Sequence, residues 1–297
     1  MKRVLTACLW LLSAGLAQAQ PQQSQSQQIS AGSLMDSRQS ANGAELSSHL
    51  SQSGQDPTGG AYTVGADATS AITAGTLRGS VHASFDGTAS SHATVTAQQW
   101  DTLTFNGGTQ GDTLLVHYSI VVVGSAAIDV QPTLTLPGVP NDAGFSRWQI
   151  AHNLGQGWAS AESTTVVGYD GTKTVTNSRN QSGTNEQVYG RMDFVGTVTS
   201  GDPTSFYMYL MAETSLNLYG AHTRGNGGVD LSQSVYWGGI SEVTTWDGQV
   251  VPYSVASQSG ANYALSFGPA STAPEPSTVV LMLLGALVLG WRVRRRH

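Results

Sequence analysis

The run Thr-Leu-Leu-Val-His-Tyr-Ser-Ile-Val-Val-Val at residues 113–123 narrows what this chain can become. Its β-branched and aromatic residues alternate with polar ones and then turn apolar on both faces, the pattern of a central strand in a layered sheet protein. Comparable runs rich in Thr, Val, Ser and Tyr occur at 71–85, 92–105, 128–136, 164–169, 172–176, 188–199, 205–214, 235–246, 250–257 and 263–267. Turn residues bound them, as expected of short strands. An aromatic residue followed by Asp-Gly recurs as Phe85-Asp86-Gly87, Tyr169-Asp170-Gly171 and Trp246-Asp247-Gly248, and Asn106-Gly107-Gly108 adds a related turn. Asp-Gly favours hairpins because both central positions of a type I′ turn need positive φ. His82 and His92, either side of the first Asp-Gly, are therefore expected to meet across a hairpin. No fixed-period repeat is present, which disfavours a propeller or solenoid. The expected fold is all-β: an antiparallel β-sandwich, jelly-roll-like, over residues 61–270.

The residues before it read differently. Gln-Pro-Gln-Gln-Ser-Gln-Ser-Gln-Gln at 20–28 has no apolar side chain with which to offset its ordering entropy, so disorder is expected there. The polar composition continues, and residues 20–60 read as a Gln/Ser/Gly-rich low-complexity linker.

Both ends of the chain carry targeting features. Met1-Lys2-Arg3, an apolar stretch and Ala17-Gln18-Ala19 form a secretory signal peptide over residues 1–19. Its removal takes Cys8, the only cysteine, so the exported part has no thiol for catalysis or metal binding. At the other end, Pro274 and Pro276 block any incoming strand or helix. Uncharged residues then run from Ser277 to Trp291, followed by Arg292, Arg294, Arg295 and Arg296. As a helix this span covers roughly 22 Å, short of the ~30 Å hydrocarbon core, and the arginines close the gap by snorkelling. The arginines also act as a cytoplasmic stop, placing the domain across the membrane.

Pro274-Glu275-Pro276, the short apolar span and the terminal arginine cluster together resemble the PEP-CTERM sorting signal of exported Gram-negative proteins, over residues 273–297. The resemblance implies export by the general secretory machinery, transient insertion in the inner membrane and cleavage by an exosortase near the Pro274–Pro276 motif. It also implies a cell-surface or extracellular destination, and association with exopolysaccharide or biofilm.

Six of the 13 basic residues lie in the two signals, leaving 7 against 19 acidic, a net of −12 counting Glu275. Such a surface repels phosphate backbones, so no nucleic-acid partner is expected. The common catalytic, phosphate-binding and metal motifs are absent, and neither cofactor nor metal is expected. His117, in the strongest strand, reads as a structural histidine. Glu162, Glu186, Glu213 and Glu242 supply carboxylates for a glycoside hydrolase, but nothing sets two of them across a cleft. A structural or adhesive role therefore stands first, a carbohydrate-binding module second and a hydrolase third. The candidate sugar-stacking residues are Trp148 and Trp158, flanking a loop-like stretch at 149–157, and Trp237. For each, the competing reading is a tryptophan that fills the core.

Overall fold

The computed structural model describes residues 22–55, 59–87, 90–131, 142–168, 171–179, 183–184, 189–217 and 224–268. Both predicted targeting segments, 1–19 and 273–297, lie outside them. Among the described residues no helix is long and apolar enough to cross a membrane.

The strands are β1 (Gln22–Ala31), β2 (Leu34–Ser40), β3 (Leu46–Gln55), β4 (Ala61–Thr73), β5 (Thr76–Asp86), β6 (Ser90–Gly107), β7 (Thr113–Val122) and β8 (Ser125–Gln131). They continue as β9 (Asp142–Leu154), β10 (Gly157–Gly168), β11 (Lys173–Arg179), β12 (Gly183–Thr184), β13 (Gly190–Thr199), β14 (Pro203–Asn217), β15 (Arg224–Thr245) and β16 (Tyr253–Ser257). Two antiparallel sheets result. The 9-stranded sheet runs β12-β11-β10-β9-β14-β6-β1-β2, with β16 also on β6. The 7-stranded sheet runs β13-β7-β15-β5-β4-β3, with β8 also on β15. The chain passes between sheets at β5 to β6 to β7 and retraces the path at β13 to β14 to β15. The neighbours β5/β15, β6/β14 and β7/β13 thus form a two-stranded ribbon folded over on itself.

Period-two alternation decides which side chains fill the gap between the sheets. β6 turns Ala93, Val95, Ala97, Leu103 and Phe105 inward, and β7 answers with Leu114, Val116, Tyr118, Ile120 and Val122. The largest rings cluster where the sheets meet. Tyr118 stacks on Trp237 at 4.8 Å, and Phe206 stands edge-on to Trp237 at 5.2 Å and to Tyr263 at 4.9 Å.

Several expectations are corrected here. Residues 20–60 are not a disordered linker in their described part: β1 lies within the larger sheet between β6 and β2, and β3 edges the smaller one. Backbone pairing, not apolar content, makes these strands. Ile29 and Ala31 are buried, and the buried Gln27 amide donates to Leu46 O at 2.9 Å and to Ser70 Oγ at 3.0 Å. The predicted strand 71–85 is a hairpin, β4–β5, turning at Gly75 with φ 65. Residues 149–157 are not a loop but the second half of β9 and its tight turn into β10. Gly155 takes φ 60 there, and a Cβ on it would lie 2.1 Å from Thr197 O, so no other residue fits the turn. Residues 263–267 form turns, not a strand. Phe85-Asp86-Gly87 crosses between sheets instead of closing a hairpin, so His82 and His92 do not meet. His82 neighbours Asp67, and His92 bonds Glu213. The hairpin expectation fits better at 168–171, where Gly171 N–H donates to Gly168 O at 3.0 Å, and at Trp246-Asp247-Gly248, where Gly248 N–H donates to Thr245 O at 3.0 Å.

Candidate functional site

The two faces of the larger sheet have opposite chemistry, and the candidate tryptophans divide between them. Trp148 points inward from β9, fully buried, its Nε1–H donating to Tyr189 Oη at 2.6 Å. Trp237 is equally buried, and its Nε1–H donates to Tyr263 O at 2.8 Å. Neither has a ring face to offer a sugar, so both leave the candidate set for the core. Trp158 begins β10 with the opposite parity and is 53% exposed.

On that outer face the strand registers place Trp158 opposite Asn153, Asn153 opposite Tyr207, Tyr207 opposite Trp100 and Trp100 opposite Gln22. The result is one row of side chains running across β10, β9, β14, β6 and β1, perpendicular to the strands. Trp100 is 37% exposed, and its ring centroid lies 5.5 Å from that of half-buried Tyr207 with a 36° tilt. Sequence reasoning did not single out Trp100, Tyr207 or Asn153. The signal was available: Trp100 and Tyr207 sit in predicted strands at positions alternate to the apolar ones.

A cleft of about 520 Å³ opens beside this row, lined by Gln22, Trp100, Asp101, Asn153, Tyr207 and Gln258 among others. It exists because β6 has two partners along one edge: β1 covers residues 91–100 and β16 covers 103–107. The gap between them falls at Asp101 and Thr102. Asp101 is buried and already engaged, accepting from Thr102 N–H at 2.8 Å and from the Ser259 N–H at 3.3 Å and hydroxyl. Gln258 N–H donates to Thr102 O at 2.8 Å, closing that wall. The Asn153 side-chain oxygen is shielded from solvent and accepts no hydrogen bond from the protein. Burial, with Tyr209 adding, raises the Tyr207 phenol above its ordinary pKa, so it stays a neutral donor and acceptor at any physiological pH.

The carboxylates are engaged elsewhere. Glu213 takes Arg147 Nη2 at 2.6 Å and His92 Nε2 at 3.1 Å. The His92 hydrogen bond first, against burial and with Arg147 adding, holds its carboxyl below the ordinary carboxylate range. Glu162 accepts from Ser178 Oγ at 2.9 Å on the same sheet, whereas Glu242 lies on β15 of the other sheet beside His117. Glu186 lies outside the described residues. Among those residues no group of three His, Cys, Asp or Glu side chains is placed to hold a metal ion.

Fold and face together define an all-β, two-sheet protein with an aromatic row and a polar cleft on one open surface. The chain also carries the PEP-CTERM protein-sorting motif, matched by its family model at residues 272–296. That motif supports an exported protein sorted by an exosortase, made as a membrane-anchored precursor and then processed. Pro274, Glu275, Pro276 and Arg292, Arg294, Arg295 and Arg296 fall within the match but outside the described residues. No curated protein matches the chain significantly.

Proposed function

We propose that this is a non-catalytic cell-surface or extracellular protein that binds glycan through the Trp100–Tyr207 row and acts adhesively in an exopolysaccharide or biofilm matrix. On this reading residues 1–19 are removed as a signal peptide, Ser277 to Trp291 span the inner membrane as a helix, and cleavage near Pro274–Pro276 frees the domain. The strand orders β5-β15-β7-β13 and β6-β14-β9-β10, joined in chain order as they are, support a jelly-roll topology for that domain.

One observation carries the reading: exposed aromatic rings aligned across one sheet face beside a polar cleft. Sugar rings stack their C–H faces on such aromatics, and the polar lining of the cleft offers hydrogen-bond partners for their hydroxyls. The engagement of Glu213 by Arg147 and His92 supports binding over hydrolysis, because a carboxylate so paired is a poor general acid.

Co-sedimentation of the full chain, in detergent, with insoluble polysaccharides tests the proposal. Trp100→Ala and Tyr207→Ala each reduce retention about tenfold, as loss of a stacked, desolvated ring does. Trp246→Ala, which removes a 73% exposed tryptophan at a distant turn, leaves retention unchanged. Wild-type retention by both row variants would remove the site from consideration.

A further inference from the structure

We infer that two copies of this chain pair through β2, antiparallel about a two-fold axis at Ser37. The inference does not depend on glycan binding.

β2 is the last strand of the larger sheet, and among the described residues it pairs with β1 alone. Met35 is 68% exposed and Leu34 40%, and Ser37 and Gln39 are exposed as well. The backbone parity of this edge follows from its turn. Gly32-Ser33 is a two-residue loop with Gly32 at φ 60, so Ala31 and Leu34 close the hairpin as a hydrogen-bonded pair. Such pairs alternate along an antiparallel ladder. Leu34, Asp36, Arg38 and Ser40 therefore spend their backbone groups on β1, and Met35, Ser37 and Gln39 turn theirs to the other side. An exposed strand edge is a template for a further strand, and proteins guard it with Pro, Lys or a bulge. β2 has none of the three, reading Leu-Met-Asp-Ser-Arg-Gln-Ser in unbroken register with β1. β3, the edge of the smaller sheet, differs: Arg38 Nη1 caps it by donating to Ser47 O at 2.6 Å.

Charge selects both the partner and the register. Asp36 and Arg38 are the charged residues of β2 and lie on one side of it, Arg38 Nε 2.9 Å from Asp36 Oδ2. With the axis at Ser37, Asp36 of each copy stands opposite Arg38 of the other. These are non-hydrogen-bonded pairs, in which side chains come closest, and the four charges close a ring. The smallest slips that keep the backbone match are two residues either way. One sets Asp36 against Asp36 and the other Arg38 against Arg38, and like charges directly opposite are destabilising. A second copy supplies the required order of charges by construction. The axis stands normal to the sheet, so the larger sheets join edge to edge with both outer faces on one side.

Oxidative crosslinking of the full chain in detergent, with Cys8→Ala removing its one native thiol, tests this. Ser37→Cys gives a disulfide-linked dimer, because the paired Cα atoms lie about 5.5 Å apart, within disulfide reach. Met35→Cys and Gln39→Cys each stay monomeric alone and crosslink when mixed. Asp36→Arg or Arg38→Asp lowers the yield of Ser37→Cys dimer about tenfold, since each turns two attractive pairs into two repulsive ones. Mixing those two chains restores the yield, which a folding defect would not allow. A Ser37→Cys chain that stays monomeric would overturn the inference, and undiminished crosslinking after either charge reversal would overturn the register. In a chain that keeps Cys8, an internal disulfide from Ser37→Cys to Cys8 would make the N-terminal segment the occupant of this edge and overturn the pairing of copies.

Discussion

His152 makes acid the most informative perturbation of this core. The ring lies between the sheets, its Nδ1 2.9 Å from Tyr118 Oη, and stands edge-on to Phe194 at 4.3 Å. Its Nε2 is buried without a hydrogen-bond partner in the protein, so a proton added there would bring a charge that nothing answers. Burial first, and then the charge of Arg179, lowers its pKa from 6.5 to about 3. The unfolded imidazole takes up a proton near 6.5 and the folded one only near 3. The unfolded state therefore binds more protons throughout that interval. Stability is fully present above pH 6.5 and is lost as pH falls towards 3. At ~1.36 kcal/mol per unit the loss is about 2 kcal/mol by about pH 5, and about 5 kcal/mol once the folded pKa is reached. Glu213, with its depressed pKa, adds its own acid sensitivity only as pH falls below its ordinary value of 4.5, outside the range from about pH 7 to about pH 5. Guanidinium unfolding of the processed protein between about pH 7 and about pH 5 reads the effect, with His152→Leu measured beside wild type. The variant starts at a different stability because Tyr118 loses its partner, so the slope against pH is the quantity to compare. Wild type loses about 2 kcal/mol more than the variant across this range. Equal slopes would show that His152 does not carry the acid sensitivity.

Two further outcomes follow from the packing. Trp237→Ala lowers unfolding free energy by about 3–5 kcal/mol, because the ring is fully buried among Tyr118, Phe206 and Tyr263; Trp246→Ala stays within about 0.5 kcal/mol; and thermal melts separate the two. A chain begun at residue 61 fails to melt cooperatively, because removing β1 to β3 uncovers Val64, Ala66, Ala93 and Val95, and differential scanning calorimetry shows this as a lost transition.

The sequence disclosed the fold where side chains drive it. β6, β7 and β14 are legible because apolar residues recur at most of their inward positions, with β7 apolar on both faces at Leu115 and Val121 as well. β1 was hidden because its inward positions include Gln25 and Gln27, which are buried by hydrogen bonding and not by hydrophobicity. No composition rule distinguishes that from a disordered tract. The β9–β10 hairpin was hidden for another reason: its turn depends on one glycine amid residues that look loop-like. The binding face was half legible. Parity along a strand separates Trp158 from Trp148, yet alignment of Trp158 with Tyr207 and Trp100 depends on registers between strands far apart in sequence.

The segment after β16 has a mechanical meaning. Tension applied to the chain at Gly268 reaches Phe267 first, whose N–H is held by Trp237 O at 2.9 Å, and then Tyr263, whose ring is fully buried. Beyond Tyr263 the load divides. Part goes to β15 through the Trp237 Nε1–H bond, and part to β6 through Ser259, Gln258 and the β16 ladder. Trp100 is the residue next to Asp101 on that same β6. A pull between a glycan bound at Trp100 and the C-terminal end thus follows β6 by the second route, while the first passes its share to β15. Extraction of the Tyr263 ring from between Phe206, Trp237 and Phe267 sets the force at which this link gives way.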